Sequence, residues 1–140
     1  MTNAELRTII AARAAGDPDF AKLVEERADS AIAAALSEGR KKLVPTEIGS
    51  GTVLAVLAPG GGAFLDALVQ VGEVNRDVYW TMDLIKQGRL RIDLPAVRTA
   101  MEGLAQAVPS LAPAIAALLT LGYVDDPISY GQVNAALSEV

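Results

Sequence analysis

Apolar residues recur along the chain at spacings of three and four, which places them on one face of an α-helix. One such stripe holds Val97, Met101, Leu104 and Val108. Glycine, proline and helix-capping residues interrupt the stripes, so each helix is short. The pattern predicts an all-α fold: a compact globular bundle of about eight short helices, forming a single domain over residues 1–140.

Residues that favour helix N-caps precede most of the stripes. Thr2 with Glu5, and Ser129 with Gln132, have the capping-box spacing, in which each side chain bonds the backbone of the other. Further N-caps are expected at Asp17, Asp29, Ser50, Asn75 and Ser110. Helix ends are expected near Gly16, Gly39, Gly72, Gly88 and Gly122.

Two segments depart from the helical pattern. Residues 90–94 alternate apolar and polar side chains, which is the periodicity of a strand. Residues 43–48 are expected to be extended, since Val44 precedes a proline. A minor two-stranded ribbon of 43–48 with 90–94 is therefore compatible with the pattern.

The run Gly60-Gly61-Gly62 invites comparison with a phosphate-binding loop. The sequence around it matches neither of the two glycine-rich nucleotide-binding motifs, G-x-x-x-x-G-K-S/T and G-x-G-x-x-G, and no buried strand precedes it. We interpret it as a flexible turn, a hinge between two helices.

The composition excludes most of the side chains on which enzyme catalysis commonly depends. Hydrophobic residues make up 51% of the chain and aromatic residues 4%, which predicts an aliphatic, alanine-rich core. With no cysteine and no histidine, the chain has no disulfide, thiol nucleophile, histidine base or zinc site built from those ligands. The remaining acidic pairs are explained by a cap, a solvated helix face and a turn: Asp17 with Asp19, Glu25 with Glu26, and Asp125 with Asp126. We predict a protein that is not an enzyme and has no catalytic residues, cofactor or metal.

Charge and hydropathy narrow the class of partner. The net charge is −5 and no Lys or Arg follows Arg98, which disfavours nucleic-acid binding. The two long uncharged stretches, 48–65 and 103–124, are each interrupted by proline, so no membrane span is predicted. The first ten residues lack the basic region of a signal peptide.

Candidate interface residues come from two groups. Trp80, the only tryptophan, is a core side chain or an interface anchor together with Tyr79; we interpret it first as core. The basic residues Arg40, Lys41 and Lys42 are interpreted as following a helix C-terminus, where cations complement the helix dipole. The full set of candidate partner-interface residues is Tyr79, Trp80, Arg40, Lys41, Lys42, Arg89 and Arg91.

The order of short elements resembles a group of small helical proteins encoded among phage structural genes. The resemblance is carried by residues 31–36 after an acidic residue, 42–46, 91–94 before a helix, and 118–122 before a last capped helix. It implies a structural or interaction protein, a head or tail accessory component of a phage virion. Its partners would be other virion proteins, including copies of itself in a symmetric assembly, and it would be made in the host cytoplasm and located in the virion.

Two alternatives remain open. One is a small acidic regulatory binder or inhibitor of a host protein, with the acidic C-terminal half acting as a nucleic-acid mimic. The other is DNA binding through the five basic candidates. Binding that does not respond to salt would exclude the latter.

Overall fold

The structure is a computed structural model, described here for residues 1–138. It is 69% helical, with nine α-helices and two small antiparallel sheets in the described part. This confirms the predicted all-α class. The helices are α1 (Asn3–Gly16), α2 (Pro18–Glu25), α3 (Asp29–Ser37), α4 (Ser50–Val56), α5 (Gly61–Gly72), α6 (Arg76–Lys86), α7 (Pro95–Ala107), α8 (Ala112–Thr120) and α9 (Tyr130–Ser138). The strands are β1 (Lys41–Leu43), β2 (Glu47–Ile48), β3 (Leu90–Arg91) and β4 (Tyr123–Asp125).

The described chain divides into two compact units. Unit 1 comprises Met1–Lys42 and the segment from Asp125 onward, and unit 2 comprises Leu43–Val124. Unit 1 is therefore built from both ends of the sequence. The expectation of a single domain over residues 1–140 stays a prediction.

Unit 1 contains α1, α2, α3 and α9, and α9 packs against α1 and α3. The predicted capping boxes are confirmed at both ends: Thr2 with Glu5, and Ser129 with Gln132. The first backbone N–H groups of a helix have no partner within the helix, and these caps provide one. The core residues of unit 1 are Leu6, Ile10, Phe20, Ile32, Ala33, Ile128, Val133 and Ala136.

Unit 2 contains α4 to α8 around a larger aliphatic core. Its fully buried members include Val53, Leu68, Ile85, Ile115 and Leu118. Helices α5 and α6 approach closely at Gly72, where an added Cβ would lie 3.1 Å from the Cα of Tyr79. A side chain at position 72 would therefore separate the two helices.

The run of three glycines has a packing role. Helix α5 begins inside the run, at Gly61, which is buried against the backbone of α4. The interpretation as a flexible hinge is replaced by a tight turn between two packed helices, since only a residue without Cβ fits there.

The predicted ribbon is present, in shortened form. Strands β2 and β3 pair antiparallel, with Glu47 opposite Arg91 and Ile48 opposite Leu90. Leu43, at the start of the predicted range, belongs instead to β1, which pairs with β4.

Three predicted N-caps are each wrong by one position, since the observed N-caps of α3, α4 and α8 are Ala28, Gly49 and Leu111. Asp29 and Ser50 are the first helical residues of α3 and α4, while Ser110 lies in a short 3-10 helix before α8. The predicted caps at Asp17 and Asn75 are confirmed by hydrogen bonds from backbone N–H groups to their side chains. A capping residue marks the start of a helix only approximately, because adjacent polar and small residues compete for the role.

No helix within residues 1–138 combines the length and the apolar character that crossing a membrane requires.

Candidate functional site

Helix α6 carries the candidate aromatic residues. Its inner face is formed by Val78, Met82 and Ile85, which are buried in the core of unit 2. At about 3.6 residues per turn, Arg76, Trp80 and Asp83 lie on the opposite side of the helix. The amphipathic pattern therefore fixes which side chains α6 exposes.

Tyr79 and Trp80 are both exposed. Their side chains are 46% and 55% accessible, so the interpretation of Trp80 as a core residue is wrong. The reason is position: residues 78, 82 and 85 fill the inner stripe, and residue 80 falls outside it. The two rings meet edge to face, with centroids 5.1 Å apart and planes at 89°.

Arg76 orders this pair. Its guanidinium carbon lies 4.5 Å from the centroid of Tyr79 and 5.7 Å from that of Trp80. Each cation–π contact contributes about 0.5–1 kcal/mol at an exposed site. The three side chains thus form a partly ordered cluster. We name the surface formed by Arg76, Tyr79, Trp80, Asp83 and Leu84 the α6 face.

A small groove between α5 and α6 borders the α6 face. Its lining includes Leu68, Val69, Tyr79 and Met82, and its volume is about 80 Å³. Sites for cofactors and small ligands occupy roughly 300–1,000 Å³. The groove is therefore smaller than the usual site of a cofactor or small ligand.

The basic candidates of unit 1 form ion pairs. Arg40 Nε lies 3.3 Å from Asp126 Oδ2, Lys42 Nζ lies 4.0 Å from Asp126 Oδ1, and Lys41 is bonded to Asp125. The cluster follows the end of α3 at Ser37, as predicted, and the N–H of Arg40 donates to the carbonyl oxygen of Ser37 at 3.1 Å. The interpretation as a helix-dipole partner stays a prediction. What sequence reasoning missed is that the cluster lies at and beside β1, where its charges are paired with carboxylates at and after β4. The turn assigned to Asp125 is replaced by a strand.

The basic candidates of unit 2 differ from each other. Arg91 makes a bidentate contact with Asp93, with N–O distances of 2.7 and 2.6 Å. The guanidinium of Arg91, followed by the backbone N–H of Thr46, holds the pKa of Asp93 well below its usual range. Arg89 is exposed. The five basic candidates therefore belong to two units, and only Arg89 among them presents its charge without an acidic partner in the described chain.

A buried carboxylate was missed by sequence reasoning. Asp29 is 7% exposed and accepts hydrogen bonds from Arg27 Nε at 3.2 Å and Asn134 Nδ2 at 3.0 Å. These bonds, that of Arg27 first, lower the pKa of Asp29. Arg27, which has a positive φ of 51°, reaches with its guanidinium the carboxylate of Asp29 at the start of α3. A carboxylate paired in this way ties α3 to α9, and no local pattern indicates a partner so distant in sequence.

Within residues 1–138, no three or more acidic side chains are grouped so that they could hold a metal ion. The predictions of no catalytic residues and no cofactor stay predictions. Comparison of the chain with protein-family models, with curated proteins and with solved structures found no match.

Proposed function

We propose that this chain is a non-catalytic interaction protein that binds a protein partner through the α6 face. The observation that supports the proposal is the exposed Arg76–Tyr79–Trp80 cluster, whose rings and guanidinium are already in contact. Trp, Tyr and Arg are the residue types most enriched among those that dominate binding energy at protein interfaces.

The contacts within the cluster also reduce the entropy that its side chains lose when they bind a partner. A side chain that is immobilised on binding loses about 0.5–1.5 kcal/mol of conformational freedom. Because Arg76 already contacts both rings, part of that loss occurs before a partner arrives. Large aromatic side chains also bury roughly 150–250 Å² each, which supplies most of the apolar contact in a small interface.

We further propose that the interaction takes place in a phage virion, as the resemblance implies, with the protein as a head or tail accessory component. The other two functions are less well supported by the charges. The inhibitor hypothesis depends on acidic residues that include Asp125 and Asp126, and both form ion pairs. The DNA-binding hypothesis depends on basic residues of which four are paired with carboxylates.

Site-specific photocrosslinking tests the proposal. A photoreactive phenylalanine analogue replaces Trp80 in one variant and Tyr130 in a control; Tyr130 is 59% exposed and lies on α9. Irradiation of producing cells is expected to give a discrete protein adduct from position 80 that position 130 does not give. Mass spectrometry of the adduct and of purified particles tests the virion setting. Absence of any adduct specific to position 80 would contradict an interface at the α6 face.

A further inference from the structure

We propose that the α6 face binds a second copy of this chain, with the two α6 helices antiparallel about a two-fold axis. This inference rests on the proposed function and adds the identity of the partner. It follows from the order of charged and aromatic residues along α6. When a second α6 runs in the opposite direction, residues of opposite charge lie against each other.

The charges define the direction of pairing. Arg76 begins α6 and Asp83 lies two turns later on the same side of the helix. If the two helices run antiparallel, Arg76 of each copy lies opposite Asp83 of the other. A parallel arrangement would place Arg76 against Arg76 and Asp83 against Asp83, which is unfavourable. The antiparallel arrangement also opposes the two helix dipoles.

The aromatic pair fits the same register. The midpoint between positions 76 and 83 is also the midpoint between positions 79 and 80. Tyr79 and Trp80 lie about 100° apart around α6, on opposite flanks of the α6 face. A two-fold axis at that point therefore brings Tyr79 of one copy near Tyr79 of the other on one flank, and Trp80 near Trp80 on the other flank. The contact between Arg76 and Asp83 occurs twice, so two ion pairs lie on either side of a central group of four rings.

The side chains have unused bonding capacity for these contacts. Among the described residues Arg76 contacts rings and has no carboxylate partner, although a guanidinium carries five N–H donors. Asp83 accepts a hydrogen bond at one oxygen from Gln87 Nε2 at 2.7 Å, which orients the carboxylate. Leu84, 38% exposed, extends the apolar part of the face. The face thus carries both signs of charge around an apolar centre, an order that suits pairing with a second copy in the opposite direction.

Charge reversal with rescue tests the pairing in the full chain. Sedimentation equilibrium over a concentration series is expected to show the mass rising from 14.6 kDa towards that of a dimer. Arg76→Glu alone and Asp83→Arg alone are each expected to weaken association by about tenfold or more, and the double variant is expected to restore it. Arg89→Glu reverses an exposed arginine outside the α6 face and is expected to leave association unchanged. Circular dichroism checks that each variant is folded.

Disulfide trapping tests the direction, since the chain has no cysteine of its own. Arg76→Cys and Asp83→Cys proteins are mixed in equal amounts and oxidised. The antiparallel arrangement predicts that the mixed disulfide between the two variants predominates, and that dimer keeps one intact Arg76–Asp83 pair. Predominance of disulfides within one variant overturns the antiparallel arrangement.

The inference is also overturned if the protein is monomeric throughout the concentration series, or if the double reversal fails to restore association. These outcomes are distinct from failure of the proposed function. A monomeric protein that still forms an adduct with another protein from position 80 retains the interaction role and loses the second copy. A protein that gives no adduct from position 80 and does not associate loses both.

Discussion

The close approach of α4 and α5 gives the sharpest test of the packing in unit 2. At Gly61 an added Cβ would lie 2.7 Å from Leu54 Cα and 2.8 Å from the carbonyl oxygen of Val53. Ordinary contacts begin near 3.4 Å, so the α4 backbone must move by roughly 0.7 Å. Gly103 lies in the interior of α7, with no atom within 4 Å of its added Cβ. The same substitution is therefore expected to have opposite effects at the two positions.

The magnitudes follow from two competing effects of Gly→Ala. Replacing glycine in a helix stabilises by about 0.5–1 kcal/mol, through the lower entropy of the unfolded chain. Overpacking against backbone costs about 1–3 kcal/mol. Gly61→Ala is thus expected to lower the free energy of unfolding by about 0.5–2 kcal/mol, and Gly103→Ala to raise it by about 0.5–1 kcal/mol.

Urea denaturation followed by circular dichroism at 222 nm measures both variants. With an m-value of about 2 kcal/mol/M, a loss of about 1 kcal/mol lowers the midpoint by about 0.5 M. If Gly61→Ala leaves the midpoint unchanged or raises it, α4 and α5 are not as close in solution as the structure has them. A fall for Gly103→Ala would refute the assignment of open space at that position.

Two further predictions concern single side chains. The lowered pKa of Asp93 means that its bonds to Arg91 and Thr46 stabilise the fold above the ordinary carboxyl pKa of 3.8, and that this stability is lost as the pH falls through the lowered value. Asp93→Asn is expected to reduce the urea midpoint at pH 7 and to flatten its decline in acid; an unchanged acid profile would contradict this. Asn75→Ala removes the N-cap of α6 and is expected to cost about 1 kcal/mol. Its thermal midpoint should fall by several degrees, whereas Asn75→Asp, which keeps an acceptor, should stay near the wild type.

Local features of the fold were predictable from the sequence. The caps at Thr2, Asn75 and Ser129 depend on residues no more than three positions away, so their signal lies within one short window. The stripes that enter the core depend on helical periodicity in the same way. The ribbon was located because a strand alternates and a proline enforces extended backbone.

The candidate site was predictable only in part. Tyr79 and Trp80 were identified as interface candidates, yet Trp80 was interpreted as core because residue type alone favours burial for such a large ring. Its exposure depends on which stripe of α6 faces unit 2. Arg76 was missed, since its role arises from contact with two rings and not from a motif.

Pairings between distant residues were not predictable. Lys41 and Asp125 are 84 positions apart, and Asp29 and Asn134 are 105 apart. Asp29, Asp125 and Lys41 each have a local explanation, as a cap, a turn residue and a helix-dipole partner, and that explanation was preferred. A single sequence contains no signal that one charge is matched to another so far along the chain.

The ends of unit 2 meet within the unit itself, where the N–H of Val44 donates to the carbonyl oxygen of Gly122 at 2.9 Å. Because the first and last residues of unit 2 lie next to each other, the chain enters and leaves this unit at the same place, and the number of residues between them does not change that. Residues 43–124 therefore form one continuous unit set between the two sequence segments of unit 1, and joining residues 42 and 125 directly would require only a short bridge, since the N–H of Asp126 already donates to the carbonyl oxygen of Arg40 at 3.0 Å.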